Sequence, residues 1–139
     1  MPGTTFDTDV IAAGRGKTLA LNDGATIYAR GEPGECAYIV TRGRVRIGNG
    51  VPIEVLRAGE IFGEMSLLDN GPRCCAAVAV GPTEVMAIDR RLFDVLVRDD
   101  ADFALAIMQL MARRLRAAIT ALDRATGDGR PELRLIAGG

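Results

Sequence analysis

The chain has 139 residues, 48 % of them hydrophobic, and a formal net charge of −1. That is enough for one domain with a real core, and it excludes both a disordered chain and a general nucleic-acid binder, which needs a basic surface to displace counterions. The sequence contains no histidine, which excludes Ser-His and Cys-His nucleophile pairs and His-ligated metals, so the expectation is a non-enzyme without a metal.

No apolar run reaches the length of a membrane span. The opening "MPGTTFDTDV" carries acids and no basic stretch, so it does not read as a secretory signal. A cytoplasmic location without membrane contact is expected. Cys36, Cys74 and Cys75 make neither a disulfide framework nor the Cys-x-x-Cys spacing of a zinc knuckle.

Residues 1–16 read as a loosely ordered lead-in with one helical turn. From Lys17 to Ile88 the pattern is β. Short apolar or alternating runs recur: "KTLAL", "ATIYAR", "CAYIVT", "RVRIG", "PIEVLR", "AAVAV" and "TEVMAI". Turn signals separate them, among them Asn22-Asp23-Gly24, Arg42-Gly43, Asn49-Gly50 and Gly81-Pro82. Closely spaced short strands predict a sandwich, jelly roll or barrel.

After Ile88 the period changes. "DRRLFDVLVRD" predicts a short helix with Asp89 as N-cap. A long helix follows from about Ala101 to Arg124. Ala104, Met108, Met111, Leu115, Ala118 and Leu122 mark a narrow heptad stripe on it. Two roles suit the stripe: packing on the β layer and a weak homodimer seam. Arg113, Arg114 and Arg116 read as a solvated helix face. "ELRLIA", near the end, reads as a strand or a tail. The fold class is therefore α+β: an antiparallel β-roll, jelly-roll-like, followed by a short and a long helix. The divisions are 1–16 lead-in, 17–125 domain and 126–139 tail, with no room for a helix-turn-helix.

The chemistry gathers in "GEIFGEMSLLDNGPRCC", Gly59 to Cys75. "EMSLL" after Phe62-Gly63 predicts one short helix. Its start exposes unpaired N–H groups, and the preceding glycine admits a ligand close to the backbone. Arg73, after a proline and before a strand, suits a phosphate. Glu64 accepts hydrogen bonds, as a ribose hydroxyl requires. Phosphate plus sugar hydroxyl means nucleotide. The plainer reading is that Glu64 and Arg73 pair with each other on the surface. Cys74 and Cys75 read as small buried strand residues, with a redox pair as the sharper alternative.

"FGEMSLLDNGPR" resembles the phosphate-binding cassette of cyclic nucleotide-binding domains, as found in bacterial catabolite activators, cAMP-dependent kinase regulatory subunits and cyclic nucleotide-gated channels. "GEPGECAYIVTRGRVRI" and "IMQLMARRLRAA" extend the likeness over roughly Leu19 to Arg124. The resemblance implies that Glu64 accepts from the ribose 2′-hydroxyl, that Arg73 pairs with the cyclic phosphate and that the backbone of Gly63, Glu64 and Met65 lines the pocket. It places Cys74 where the family carries a phosphate donor, Cys75 where alanine packs, and Ile119, beside Ala118, against the base. It implies a sensor with cAMP favoured over cGMP, acting through an unknown output protein or a weak homodimer of the long helix, with no nucleic acid bound by this chain. A cupin enzyme shares the layout but needs metal ligands, generally histidines. The remaining alternative is a degenerate fold that binds only protein.

Overall fold

A computed structural model describes residues 5–6, 16–48 and 54–126. Six strands and three helices follow one another among them. These are β1 (Lys17–Leu21), β2 (Thr26–Tyr28), β3 (Cys36–Ile47), β4 (Glu54–Leu56), β5 (Ile61–Phe62), α1 (Glu64–Asp69), β6 (Ala77–Asp89), α2 (Arg90–Asp99) and α3 (Ala101–Thr126). The strands form one antiparallel sheet in the order β1-β6-β3-β4, with β2 also on β6 and β5 on β3. This is the expected α+β order of a roll followed by a short and a long helix. The described chain divides into two compact units between Ala104 and Leu105. The lead-in's helical turn, Asn49-Gly50 and "ELRLIA" lie outside the described residues.

Two expected turns are bends instead. Arg42-Gly43 and Gly81-Pro82 do not end strands: β3 and β6 run through them. The reason is that the two signals face each other across the ladder. Arg42 pairs with Glu84 and Arg44 with Val80, and the register shifts on both sides of Arg42. Gly43 and Gly81 have φ of 81° and 72°, the left-handed region that glycine tolerates. A Cβ on Gly43 would lie 2.5 Å from the Pro82 carbonyl oxygen. Pro82, lacking an N–H, is accommodated because this stretch is out of the regular ladder. Thr83 Oγ1 donates to the Arg44 carbonyl at 3.0 Å, and Thr41 Oγ1 to the Glu84 carbonyl at 3.0 Å. Both strands therefore bend together and stay joined.

The roll's core is built from alternating inward residues. Val40, Val45, Leu56, Phe62, Ala77 and Val85 are buried together, with Tyr28 at one side. A separate aromatic group holds the helices' beginning. The Phe103 ring meets Phe6 at 5.4 Å and Phe93 at 5.8 Å, both edge-on. Full burial of one such side chain is worth roughly 1.5–3 kcal/mol. Asp89, the last residue of β6, caps α2 as expected: its Oδ1 accepts from the Leu92 N–H at 2.8 Å. Asp100 repeats the device for α3, accepting from the Phe103 N–H at 3.1 Å.

Candidate functional site

β5 ends at Phe62 and the chain turns sharply into α1. Gly63 makes the turn, with φ 80° and ψ 4°. A Cβ there would stand 2.8 Å from Arg73 Nη1, so this position needs glycine for both conformation and space. Glu64 follows, fully buried, and Ser66 and Leu67 are buried behind it. Met65, between them, is 43 % exposed. Asn70 ends the helix in the left-handed conformation, and the Asp69 carboxylate accepts from the Gly71 N–H at 2.8 Å.

Arg73 is 4 % exposed and held along its whole length. Its N–H donates to the Glu32 carbonyl and its own carbonyl accepts from the Gly31 N–H, both at 2.8 Å. Pro33 and Pro72 bridge alongside. Nη1 donates to the Gly63 carbonyl at 2.7 Å and Nη2 to the Cys36 carbonyl at 2.6 Å. The guanidinium carbon lies 4.1 Å from the Tyr28 ring centroid and 5.9 Å from that of Tyr38. Nε, also buried, has no hydrogen-bond partner among the described residues. A Cβ on Gly34 would strike Ser66 and come 3.0 Å from the guanidinium carbon. Arg73 and Glu64 are thus both interior, which removes the reading of a surface ion pair. The arginine is aimed back at the carbonyl preceding Glu64, so the two residues belong to one site.

Sequence reasoning did not find Tyr28, Tyr38, Gly34 or the Cys36 carbonyl. Tyr28, Tyr38 and Phe62 form one aromatic group, with Tyr38 and Phe62 stacked at 5.3 Å. A tyrosine two residues before Arg30-Gly31 was the available signal, since a buried tyrosine offers a cationic side chain its ring face. Burial pushes the Tyr38 hydroxyl above its ordinary pKa. Burial, then the Asp89 carboxylate, pushes the Cys36 thiol up.

The cysteines differ from the expectation of buried strand residues. β6 begins only at Ala77, and Cys74-Cys75 form a bend before it. Cys74 is exposed and Cys75 half-buried, because the chain is still turning before it enters the sheet. Burial, followed by the neighbouring Cys74 thiol, raises the pKa of the Cys75 thiol. Ile119 lies on α3, within the second unit, and is half-buried there. Beside the loop a cavity of about 440 Å³ opens between Pro33–Glu35 and Asn70–Pro72, with Arg90 at its wall. None of Gly63, Glu64, Met65, Arg73 or Cys74 lines it. Among the described residues no group of three or more His, Cys, Asp or Glu is placed to hold a metal, and no helix is long and apolar enough to cross a membrane.

Comparison with known proteins fits this geometry. The chain is 41 % identical over 106 residues to the cyclic AMP receptor protein of Thermus thermophilus, covering 72 % of this chain and 49 % of that one. It is 31 % identical over 99 residues to a CRP-like cAMP-activated global transcriptional regulator of Mycobacterium tuberculosis, covering 67 % of this chain and 44 % of that one. It therefore spans about half the length of these relatives. The crystal structure of the Thermus thermophilus catabolite activator protein superposes with a TM-score of 0.76 at 34 % identity, over 86 % of this chain and 58 % of that one. The family model of the cyclic nucleotide-binding domain matches residues 18–100, the stretch that carries the roll, Gly63, Glu64 and Arg73. The chain belongs to the cyclic nucleotide-binding domain family.

Proposed function

We propose that this chain is a sensor for a cyclic nucleotide, with cAMP preferred over cGMP, and that it performs no reaction of its own. One observation carries the reading: a buried arginine fork directed at the turn that begins with Gly63 and Glu64. Two acceptors of that fork are neutral carbonyls. A cyclic phosphate is a charged acceptor, and charge-assisted bonds are roughly twice as strong as neutral ones. The phosphate takes the place of one carbonyl, and the unpartnered Nε gains an acceptor. Glu64 receives the ribose 2′-hydroxyl, the backbone of Gly63 to Met65 closes around the sugar, and Cys74 contributes its backbone N–H to the phosphate. Ile119 supplies an apolar contact to the base. The preference for cAMP rests on the relatives, whose names carry that nucleotide.

The signal leaves the loop through α2. Arg90, the first residue of α2, donates to the Leu67 carbonyl of α1 at 3.0 Å, so a shift of α1 pulls on the helix that follows the roll. Such a shift requires that the ligand bind the moved state more tightly than the resting one. A second copy of this chain, through α3, or a partner protein receives it. The domain proper spans residues 17–125, and its setting is the cytoplasm.

A second reading has its own support. Arg73 already has two carbonyl partners and an aromatic neighbour, which is also how a purely structural strut is held. In that case the fold binds only protein. Calorimetric titration with cAMP and cGMP separates the two. Saturable heat with a Kd near or below ~1 μM, about −8 kcal/mol, is expected. Absence of heat with both nucleotides, joined to an unchanged melting temperature, selects the strut.

A further inference from the structure

We propose that Cys74 and Cys75 form a chelating dithiol site for trivalent arsenic and antimony compounds. The placement of the two sulfurs carries it. On an extended strand, neighbouring side chains point to opposite faces. Cys74-Cys75 instead form a bend between Pro72 and the start of β6, outside the alternation of a strand. The two thiols are therefore not held on opposite faces as neighbours in a strand are. Cys74 is exposed and Cys75 half-buried, so the pair is reachable from solvent.

Three features choose the class of ligand. First, consecutive Cα atoms are about 3.8 Å apart, closer than the roughly 4.4–6.8 Å of ordinary disulfides. A bond between these sulfurs stores strain and is readily reduced, so the pair persists as a dithiol. Second, no described residue joins them to make three ligands for a metal. A closed tetrahedral zinc site needs four. A trivalent arsenic or antimony centre takes two thiolates and keeps its third position for its own substituent. Third, thiolates select soft centres over hard ones. The raised pKa of Cys75 makes it a poor single nucleophile at neutral pH, which disfavours peroxide and alkylating agents. Chelation offsets this, because the second sulfur bond forms intramolecularly.

The reaction balances without a redox partner. With phenylarsine oxide, two S–H bonds break and two As–S bonds form. The arsenic-bound oxygen leaves with both protons as water, and neither arsenic nor sulfur changes oxidation state.

The test is intact mass spectrometry of the full chain titrated with phenylarsine oxide. One equivalent is expected to add, and to leave when ethanedithiol is added. Cys74→Ser and Cys75→Ser should each lower the apparent affinity by about 100-fold or more, the loss of a chelate. Cys36→Ser should retain the adduct. No adduct on the wild-type chain, or an adduct that survives equally in either single variant, overturns the proposal. Because the readout contains no nucleotide, its result is independent of the sensor reading.

Discussion

The Arg73 guanidinium sits 4.1 Å from the ring centroid of Tyr28 while two of its nitrogens bond the carbonyls of Gly63 and Cys36. The arginine is thus desolvated and oriented before any ligand arrives, which lowers the ordering that binding must impose. Removing one partner of a buried charged pair costs on the order of 2–5 kcal/mol. Arg73→Leu should weaken nucleotide binding at least ~30-fold. Arg73→Lys keeps the charge and loses the planar fork, so it too should bind more weakly. Tyr28→Leu removes a cation–π contact worth roughly 0.5–2 kcal/mol and should act in the same direction by a smaller factor. Calorimetry on the three variants checks the order.

Gly63 and Gly34 should both resist alanine, for different reasons. Gly63→Ala forces a left-handed conformation costing about 1–2 kcal/mol, and its methyl group meets Arg73 Nη1. Gly34→Ala overpacks against Ser66 and the guanidinium, with an expected loss of about 1–3 kcal/mol. Urea unfolding should show the stability loss in both. Gly24→Ala has open space around its new methyl group and only the conformational penalty of its φ of 79°, so it should cost less than Gly63→Ala.

Much of the α3 stripe is open to solvent in the single chain, with Ala104 and Met111 half-buried. Met108, Leu115 and Leu122 are 61 %, 61 % and 52 % exposed, spaced by seven. Regular heptad exposure of large apolar side chains favours a helical partner. Ala104 and Ala118 weaken the seam, so self-association should be weak and concentration-dependent. Met111→Asp or Leu115→Asp should abolish it while leaving the melting temperature of the dilute protein within a few degrees. Sedimentation at high protein concentration is the measurement, and a strict monomer with and without nucleotide removes the seam.

Alkaline pH should unfold the roll early. Cys36, Cys75 and Tyr38 all have raised folded-state pKa values, burial being the first cause. Each is neutral when protonated, so the folded chain holds these protons longer than the unfolded one. The stabilisation is intact below the ordinary thiol pKa of about 8.5. It is lost as pH rises through the folded-state values. Thermal melts between pH 7 and 11 should decline, and Cys36→Ala should make the decline shallower on its thiol part.

Much of this was readable from residue pattern because it depends on near neighbours. The Asp89 cap, the one-turn helix after Gly63 and the change of period after Ile88 are local matters, and each is found where the residues place it. The two bends were missed because Gly43 and Gly81 signal turns when read singly. Only the pairing of β3 with β6 makes them opposite halves of one bend. The setting of Arg73 was missed for the same reason: its carbonyl partner Cys36 lies 37 positions away. The cysteines look like strand because "CCAAVAV" is continuous in character, while the chain bends at Cys74-Cys75 and enters β6 only at Ala77.

The two main-chain bonds that join Arg73 to Gly31 and Glu32 make the 31–34 turn a jig for a residue some forty positions further on. Most surface turns accept insertions because nothing else depends on their length. Here one added residue would move the backbone of the arginine while leaving every residue of Gly63 to Arg73 in place in the sequence. Length variants of this turn would therefore be expected to retune the sensor without touching its ligand, a route by which related chains can differ in threshold while sharing the same loop.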